Sequence, residues 1–384
     1  MIAVIADDFT GAAEIGGVGI RHGFSVVIET KVDKNISADI LIIATDTRSQ
    51  TPEKAADVTQ KITSELLALH PDFIYKKIDS ILRGNVGAEL TAQLITSGKQ
   101  KAMLVPANPQ LNRTIRDGIY YYNGIPLNEF SFTNGTSNAR TSSRVLDLLG
   151  EAVRPFTSVV SIGDALPEKG LIIGNTSDTD DLDNWVRKID SQTIPAGGSS
   201  FFDAILRAHP KQTANQKISP LRLGPKMMYI CGSAFDNSRM LVQKARQAGH
   251  AVAYMPENLL TDDGPDHSLF ARWKNEICDG LQKTGKVIVA IDKITGVQEN
   301  VSCKIRQAVA TAVQSVMNEA EIDELIIEGG ATAYAVTQKL GYTRLYPVNE
   351  LGPGSIRMKV RENANIFLTL KPGSYTWPDV IWPY

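Results

Sequence analysis

The stretch Met1-Ile-Ala-Val-Ile-Ala-Asp-Asp-Phe-Thr-Gly11 decides the fold of the N-terminal half of the chain. Residues 2–5 are apolar, which is typical of a strand buried in a parallel sheet. Two carboxylates, Asp7 and Asp8, come directly after this strand. Ligands of open α/β sheets bind beyond the carboxyl ends of the strands, so this turn is a candidate binding site.

A helix should follow the turn, from about Gly11 to His22, with Thr10 as its N-cap. Acids at such a turn can orient a hydroxyl, hold a metal-bound nucleotide or accept a proton. The alternative is that Asp8 and Thr10 only cap the helix, because both residue types commonly begin helices. The sequence leaves both interpretations open.

The composition narrows the class of protein. A chain of 384 residues predicts two domains, and 43% hydrophobic with 21% charged residues is typical of globular proteins. A net charge of −2 argues against a broad surface for nucleic acid or acidic membranes. The three cysteines, Cys231, Cys278 and Cys303, lie far apart and predict reduced thiols in a cytoplasmic protein. No apolar run approaches the ~20 residues that span a membrane.

The first half of the chain repeats the order strand, polar turn, helix, which predicts a doubly wound and mostly parallel α/β domain. We expect this domain at residues 1–207, followed by an aperiodic, proline-bearing linker at 208–225. A second α/β series occupies 226–384. Between 117 and 138 the pattern loosens, and Tyr120-Tyr-Tyr-Asn-Gly124 resembles a hairpin, either over a cleft or at a sheet edge.

The stretch Tyr75-Lys-Lys-Ile-Asp-Ser-Ile-Leu-Arg-Gly84 is the densest candidate for chemistry. Its cations, Lys76, Lys77 and Arg83, suit a carboxylate or phosphate ligand, and Asp79 suits a hydroxyl that awaits deprotonation. In a strand Lys77 and Asp79 face one side and Lys76 the other, so at most one lysine should lie with the acid. The alternative is a local structural ion pair.

Arg48 belongs to the same hypothesis. It closes the segment Thr45-Asp-Thr-Arg48, which follows a predicted strand at 40–44. Its guanidinium can bind a carboxylate through two parallel hydrogen bonds. The alternative is a surface arginine at the end of a strand.

Glycine-bearing turns in the second half predict a phosphate site. Ile326-Ile-Glu-Gly-Gly-Ala-Thr-Ala-Tyr-Ala335 predicts a strand, a double glycine and a helix whose free N–H groups suit a phosphate. Similar turns are Cys231-Gly-Ser-Ala234, Gly352-Pro-Gly-Ser355 and Lys371-Pro-Gly-Ser374. A tight turn needs glycine as well, but four such turns favour nucleotide phosphates more than any single one.

Several other classes of enzyme lack their signatures here. The chain has no Gly-x-x-x-x-Gly-Lys-Ser/Thr loop, no protein-kinase signature set and no Gly-x-Ser-x-Gly elbow. Its five histidines show no paired spacing of the zinc-hydrolase type, and we assign no metal-ligating residue. Gly17-Val-Gly19 lies inside the first predicted helix and indicates close helix packing, not a dinucleotide site.

Together these segments resemble the four-carbon acid sugar kinases, which phosphorylate threonate, erythronate or 3-oxo-tetronate with ATP. The matching segments cover nearly the whole chain in family order. They are Ala6-Asp-Asp-Phe-Thr-Gly-Ala12, Thr45-Asp-Thr-Arg48, Lys76-Lys-Ile-Asp-Ser80, Arg83-Gly-Asn85, Pro106-Ala-Asn-Pro109, Arg113-Thr114, Gly118, Gly232-Ser233, Gly329-Gly-Ala-Thr332 and Leu370-Lys-Pro-Gly373.

The resemblance implies two α/β domains, the first for the sugar acid and the second for ATP with Mg²⁺, and an active site in the cleft between them. Asp79 or Asp8 would position or deprotonate the attacking hydroxyl. The residues implied for the sugar acid are Asp7, Asp8, Arg48, Lys76, Lys77, Asp79 and Arg83. Those expected at the nucleotide are Ser233, Gly329, Gly330, Ala331, Thr332, Gly352, Gly354 and Gly373.

Two other functions stay open at this point. A sugar-acid sensor could have kept the fold and lost ATP, because the chain departs from the family pattern at Ala331, Ala333, Phe235 and residues 374–376. A nicotinamide-dependent oxidoreductase has a similar build, although the dinucleotide fingerprint is missing. We expect no nucleic-acid or membrane partner, and the sequence leaves the oligomeric state open, a homodimer included.

Overall fold

Runs of aliphatic residues form the buried strands of two α/β units. A computed structural model describes residues 1–130, 142–211, 221–232, 236–261, 264–291, 299–373 and 375–382. The chain divides into the two units between Gln216 and Lys217. This division falls inside the segment 208–225, of which residues 212–220 lie outside the described residues. The exact limits of the predicted linker therefore stay a prediction.

The first unit alternates strands and helices. Its elements are β1 (Ile2–Ala6), α1 (Phe9–Arg21), β2 (Val26–Glu29), β3 (Ile40–Ala44), α2 (Pro52–Leu67), β4 (Ile74–Lys77), α3 (Val86–Ser97), β5 (Lys101–Val105), β6 (Arg113–Arg116), β7 (Ile119–Tyr122), β8 (Ile125–Pro126), α4 (Val145–Leu149), β9 (Thr157–Val160), β10 (Gly170–Gly174), α5 (Thr179–Val186), β11 (Thr193–Gly197) and α6 (Ser199–Ala208). Short 3₁₀ helices occupy Pro109–Leu111 and Glu151–Phe156.

The main sheet of this unit is parallel throughout, in the order β2-β3-β1-β4-β11-β5-β10-β9. Its helices pack in two groups, one of α1, α5 and α6 and one of α2 and α3. The predicted doubly wound parallel domain is thus confirmed. The order of the strands reverses at β1, which has β3 on one side and β4 on the other, and such switch points are where ligands bind.

A small antiparallel sheet of β6, β7 and β8 stands apart from the main sheet. Asn123 (φ 51°) and Gly124 (φ 77°) form the two-residue turn between β7 and β8, because both can adopt positive φ. The predicted hairpin is therefore confirmed, and it is not an edge of the main sheet. Residues 131–141 of the loosened segment lie outside the described residues.

The second unit has a mixed sheet. Its elements are β12 (Met227–Cys231), α7 (Asp236–Gln247), β13 (Val252–Tyr254), β14 (Leu260–Thr261), β15 (Gly264–Pro265), α8 (His267–Thr284), β16 (Lys286–Ala290), α9 (Glu299–Met317), β17 (Glu324–Glu328), α10 (Gly330–Leu340), β18 (Arg344–Gly352), β19 (Ser355–Val360) and β20 (Phe367–Lys371). Strands β13-β16-β12-β17-β20 are parallel, and β19 and β18 continue the sheet antiparallel. The predicted second α/β series is confirmed.

The sequence pattern did not predict four elements of the first unit, which are β6, α4, β11 and α6. Strand β11 lies between β4 and β5, although Pro195 lacks the N–H that a central strand needs for its ladder. The structure accommodates the proline because β4 pairs with this strand only at Ala196 and Gly197, beyond Pro195. The strand brings Gly198 and Ser199 to the same edge as the predicted site.

The described residues contain no helix that is long and apolar enough to cross a membrane. The three cysteines are free thiols, with Cys231 buried and Cys303 exposed. A cavity of about 280 Å³ lies where β4 and β11 begin, lined by Ile74, Ile194 and Ile205 among others. The predicted site residues follow the carboxyl ends of the strands, at the opposite edge.

Candidate active site

Asp8 is the N-cap of α1. Its Oδ1 accepts a hydrogen bond of 2.8 Å from the Gly11 N–H, and its Oδ2 accepts one of 2.6 Å from the Thr10 hydroxyl. The predicted N-cap, Thr10, is therefore wrong by two residues, and the helix begins at Phe9. An aspartate accepts the first free N–H groups of a helix and also favours its positive end, which explains the preference.

Arg48 joins the two aspartates that follow β1. Its Nε and Nη2 each donate a hydrogen bond of 2.8 Å to one oxygen of Asp7, and its Nη1 donates one of 2.8 Å to Asp8 Oδ2. Asp7 is 1% exposed, whereas the Arg48 side chain is 19% exposed. The sequence predicted these three residues at neighbouring strand ends, and the parallel pairing of β1 with β3 brings them together.

Asp79 and Arg83 form a second bidentate ion pair, or fork, beside the one between Asp7 and Arg48. Arg83 donates from Nε (2.9 Å) and Nη2 (2.7 Å) to the Asp79 carboxylate, and its backbone N–H donates to the same group at 3.0 Å. Arg48 Nη1 lies 3.8 Å from Asp79 Oδ1, so the two forks touch. The local ion pair that the sequence left open as an alternative is therefore present, and it lies at the site.

The strand alternation separates the two lysines as predicted. Lys77 Nζ lies 3.4 Å from Glu14 Oε2 and donates to the Ile78 carbonyl at 2.9 Å. Lys76 Nζ lies 2.9 Å from Glu89 Oε2, and both of these side chains are 0% exposed. Lys77 is thus the lysine beside the acids, whereas Lys76 points into the domain core.

The surrounding cations keep both candidate acids ionised. Burial acts to raise the pKa of Asp79, but the Arg83 and Arg48 guanidinium groups outweigh it and hold this pKa far below its usual value. Burial also opposes ionisation of Asp8, and here Arg48 and Lys77 lower the pKa. Both groups are therefore carboxylates at neutral pH and can accept hydrogen bonds.

Sequence reasoning missed Glu14 and Ser199 at this edge. Ser199 Oγ donates a hydrogen bond of 2.9 Å to Glu14 Oε1, and Glu14 also faces Lys77. Tyr75 supports the turn that precedes Ser199, because its hydroxyl donates to the Gly198 carbonyl at 2.7 Å. The available signal was the run Gly197-Gly198-Ser199, a polar turn of the same type as those after β1 and β3.

In the second unit, the glycine turns meet at the ends of neighbouring strands. Gly329 has φ 95° and donates its N–H to the Lys371 carbonyl at 2.9 Å. A Cβ on Gly232 would lie 2.9 Å from Thr332 Oγ1, and one on Gly354 would lie 3.0 Å from Pro372 Cγ. Contacts therefore connect all four predicted turns, but Ser233 and Ser374 lie outside the described residues.

Gly329, Gly330, Ala331 and Thr332 at the start of α10, called the phosphate cradle below, are the candidate site for a phosphate. Helix α10 begins at Gly330, next to Ala331 and Thr332, and has no capping side chain among the described residues, so its first N–H groups are open to an anion. A Cβ built on Gly329 would meet no atom within 4 Å among the described residues. Gly352 is the last residue of β18 and lies next to Pro378, and Gly373 comes two residues after the end of β20.

A buried ion pair supports this cradle. Lys371 Nζ lies 2.6 Å from Glu328 Oε1, both side chains are 0% exposed, and Lys371 also donates to the Pro372 carbonyl at 2.8 Å. Ser238 Oγ donates to the same Glu328 oxygen. Burial raises the pKa of Glu328, although Lys371 and Ser238 oppose the increase.

A magnesium ion would depend on the nucleotide for most of its ligands. Among the described residues, no three His, Cys, Asp or Glu side chains form a metal-binding group. Mg²⁺ commonly binds through one or two carboxylates together with phosphate oxygens and water, so the donor set here is compatible with an ion that arrives with its nucleotide.

Comparison with known proteins finds a family match for each of the two units. Residues 2–205 match a family described as a sugar-binding N-terminal domain, and residues 228–375 match a nucleotide-binding C-terminal domain. A D-threonate kinase of Salmonella typhimurium is 34% identical over 149 residues, which are 38% of this chain and 35% of that protein. A 3-oxo-tetronate kinase of Brucella melitensis is 24% identical over 393 residues, covering 92% of this chain and 88% of that protein.

A solved structure supports the fold. The chain superposes on a Haemophilus influenzae protein of family DUF1537 with a TM-score of 0.71 and 20% identity, over 98% of this chain and 97% of that one. At this identity the likeness concerns the fold alone. The two family matches together cover most of the sequence, one for each unit. The chain therefore belongs to the four-carbon acid sugar kinase family.

Proposed function

We propose that this protein transfers the γ-phosphoryl group of ATP to a hydroxyl of a four-carbon sugar acid of the threonate, erythronate or 3-oxo-tetronate type. The observation that carries the proposal is the group of Asp8, Arg48 and Lys77 at the carboxyl ends of β1, β3 and β4. It offers an ionised acid for a hydroxyl and two cations for a carboxylate, at the switch point of a sheet in a sugar-binding domain.

Arg48 and Lys77 are proposed to bind the carboxylate of the substrate. A guanidinium has five N–H donors, and Arg48 uses three of them in its hydrogen bonds to Asp7 and Asp8. Within the described residues the remaining donors are available to a ligand, and the guanidinium is partly exposed. Asp7 fixes the plane of the guanidinium and so sets the direction of these donors.

Of the two candidate acids, we assign Asp8 to the attacking hydroxyl. Each carboxylate accepts three hydrogen bonds: those of Asp8 come from Gly11, Thr10 and Arg48, whereas all three of Asp79 come from Arg83. Asp8 is thus the acid hydrogen-bonded to the arginine that is proposed to bind the substrate carboxylate. The low pKa of Asp8 makes it a weak base, so its main task is to orient the hydroxyl. Phosphoryl transfer asks chiefly for positioning and charge compensation, which fits this role.

The nucleotide is proposed to bind at the glycine turns of the second unit. The N–H groups at the start of α10 and the Thr332 hydroxyl would contact phosphate oxygens. Mg²⁺ would neutralise part of the phosphate charge. That the two ligand sites meet in a cleft between the domains stays a prediction, as do the cytoplasmic location and the oligomeric state.

The test is a coupled ADP-release assay over a panel of four-carbon acids, with the wild type, Asp8→Asn and Asp79→Asn. Asparagine caps a helix about as well as aspartate, so Asp8→Asn should still fold, with a melting temperature lowered only by the loss of its ion pair with Arg48. We expect its kcat to fall ~10²-fold or more, the usual scale for a positioned acid or base. Near-normal turnover of Asp8→Asn would remove the assignment of Asp8.

Direct binding measurements separate this function from its alternatives. Calorimetry should show binding of both ATP and a sugar acid to the wild type. Binding of the sugar acid without ATP would indicate a sensor, and saturable binding of NADH would indicate an oxidoreductase. Either result, with no ADP release on any acid, would contradict the kinase proposal.

A further inference from the structure

The fully buried ion pair of Lys76 and Glu89 lies beneath the segment that carries Arg48. Burying two charges costs several kcal/mol per ion in desolvation, and apolar residues of similar size often replace such pairs without loss of stability. Packing alone therefore gives no reason for the pair. Its contacts outside the pair indicate what it does.

Glu89 is connected to the end of β1 by two hydroxyls. The Thr47 hydroxyl lies within hydrogen-bond distance of Glu89 Oε1, and Thr45 Oγ1 lies 2.8 Å from Thr47 Oγ1. Because a carboxylate only accepts, Thr47 must donate to Glu89, and the single hydroxyl proton of Thr45 goes either to the Thr47 oxygen or to the Ala6 carbonyl. The Thr45 hydroxyl also lies 2.9 Å from the Ala6 carbonyl, the last residue before the two aspartates.

This relay fixes Thr47 on its side chain, and neighbouring groups fix its backbone. The Thr47 carbonyl accepts a hydrogen bond of 3.0 Å from Asn85 Nδ2. Arg48 then donates its backbone N–H to the Asp7 carbonyl at 3.2 Å. On the other side, a Cβ on Gly84 would lie 3.0 Å from Arg48 Cγ, so Arg48 has little room to shift.

We propose that Glu89, held by Lys76, is a positioning residue that acts through Thr47 to set the position of the Arg48 backbone, from which the guanidinium reaches Asp7. The role rests on the proposed function, because it concerns how Arg48 receives the carboxylate of the substrate. The proposal gives Lys76 a structural role as the partner of Glu89, whereas the family resemblance implied that Lys76 contacts the substrate. Without the relay, Arg48 keeps its charge and its hydrogen bonds to Asp7 and Asp8, but its backbone loses an anchor and the guanidinium shifts, so binding of the sugar acid weakens while the nucleotide site is untouched.

The deciding variant is Thr47→Val. It removes the hydroxyl and keeps the shape of the side chain, the ion pair and every group proposed to touch a ligand. We expect the KM for the sugar acid to rise ~10-fold, on the scale of one hydrogen bond to a charged group, and the KM for ATP to stay within ~2-fold. Thr47→Ser keeps the hydroxyl and should restore the wild-type KM.

The matched control is Thr59→Val. Thr59 is a buried threonine of α2, and its hydroxyl has no hydrogen-bond partner among the described residues. This variant makes the same chemical change in the same domain, and both of its KM values should equal those of the wild type. Urea unfolding of each variant shows whether Thr47→Val also loses stability.

If Thr47→Val fails to fold, the double variant Glu89→Gln/Lys76→Met takes its place, because it leaves no unpaired charge. A neutral amide accepts more weakly than a carboxylate, so the KM for the sugar acid should still rise at least ~3-fold without a change in the KM for ATP.

The outcomes separate the two proposals. If the wild type turns over, three results overturn the positioning role and leave the kinase proposal standing. They are an unchanged KM for the sugar acid in Thr47→Val, an equal change in Thr59→Val, and no rescue by Thr47→Ser. A wild type that binds the acid without turnover contradicts the kinase, and calorimetric Kd values for the acid then replace KM in the same comparison. A wild type that binds no four-carbon acid overturns both.

Discussion

Gly11 shows at the scale of one residue why the turn after β1 has this sequence. A Cβ at this position would lie 2.6 Å from Asp8 Oδ1 and 3.1 Å from Lys77 Nζ. The first distance is shorter than any normal contact, so a larger residue must displace the carboxylate that the helix and the proposed hydroxyl share. The glycine is required by its neighbours and not by its own backbone angles.

Gly11→Ala should therefore reduce activity by at least ~10-fold and lower the free energy of unfolding by about 1 kcal/mol, the usual cost of a lost cap. The coupled assay and urea unfolding measure the two effects. Gly163→Ala is the control, because a Cβ there would meet no atom within 4 Å among the described residues. Equal behaviour of the two variants would contradict the steric role of Gly11.

The acids of the site should also make stability depend on pH. The pKa values of Asp8 and Asp79 are lowered in the folded protein, so both groups contribute stability above their unfolded pKa, near 4. This contribution is lost as the pH falls below that value. Urea unfolding at pH 7 and pH 3 should show a smaller decrease for Asp79→Asn than for the wild type; an equal decrease would argue against the low pKa.

Residues of this site differ in how far the sequence could predict them. Asp7, Asp8 and Arg48 were predictable, because each follows an apolar run at the end of a parallel strand. The partners of Arg48 were not, because a fork to Asp7 depends on the register between β1 and β3. That Lys76 and Lys77 face opposite sides followed from strand alternation, but the core position of Lys76 did not, because its partner Glu89 is on a helix further along the chain.

At the scale of secondary structure, strand ends hold both proposed sites. The aliphatic run of β3 was predicted to the residue, at 40–44. Strand β11 was missed because Pro195 and the nearby Gly197 and Gly198 are uncommon in strands. Pairing with its neighbours β4 and β5 stabilises this short strand. Tertiary pairing thus decided a strand that the local sequence could not predict.

The ion pair of Glu328 and Lys371 joins β17 to β20 beneath the phosphate cradle. Lys371→Met leaves Glu328 buried without its cation, which should cost about 3–5 kcal/mol of stability. The double variant Glu328→Gln/Lys371→Met should recover a large part of this loss. Lys359→Met, at an exposed position of β19, is the control. Urea unfolding decides, and a loss no greater than that of the control would contradict the structural role of the pair.

At the scale of the whole molecule, the order of the polar turns along the chain indicated two domains with different ligands. The family match at residues 2–205 describes a sugar-binding domain, and the match at 228–375 describes a nucleotide-binding domain. The charge totals and the cysteines bounded the class of protein but said nothing about the ligand. The class of ligand was indicated by the polar and glycine-bearing segments that follow the strands at one edge of each sheet.

Each ligand should stabilise the protein by itself, because the proposed sites belong to separate units. At 100 times its Kd, a ligand that binds only the folded state adds about 2.7 kcal/mol. Thermal unfolding should therefore shift upward with ATP and Mg²⁺ alone and with the sugar acid alone. Removal of Mg²⁺ with EDTA should abolish the first shift and leave the second. A nucleotide shift that survives EDTA would contradict the proposed part of Mg²⁺.

The paired arginines of the first unit have a consequence for how a substrate is selected. Arg48 and Arg83 are both already neutralised by aspartates, so the site presents little net charge to the surrounding solution. A dissolved sugar acid is then hardly drawn in from a distance, and encounter depends on diffusion alone. Anions of equal charge therefore reach the site at similar rates. Their shape and the pattern of their hydroxyls distinguish them once they contact the protein.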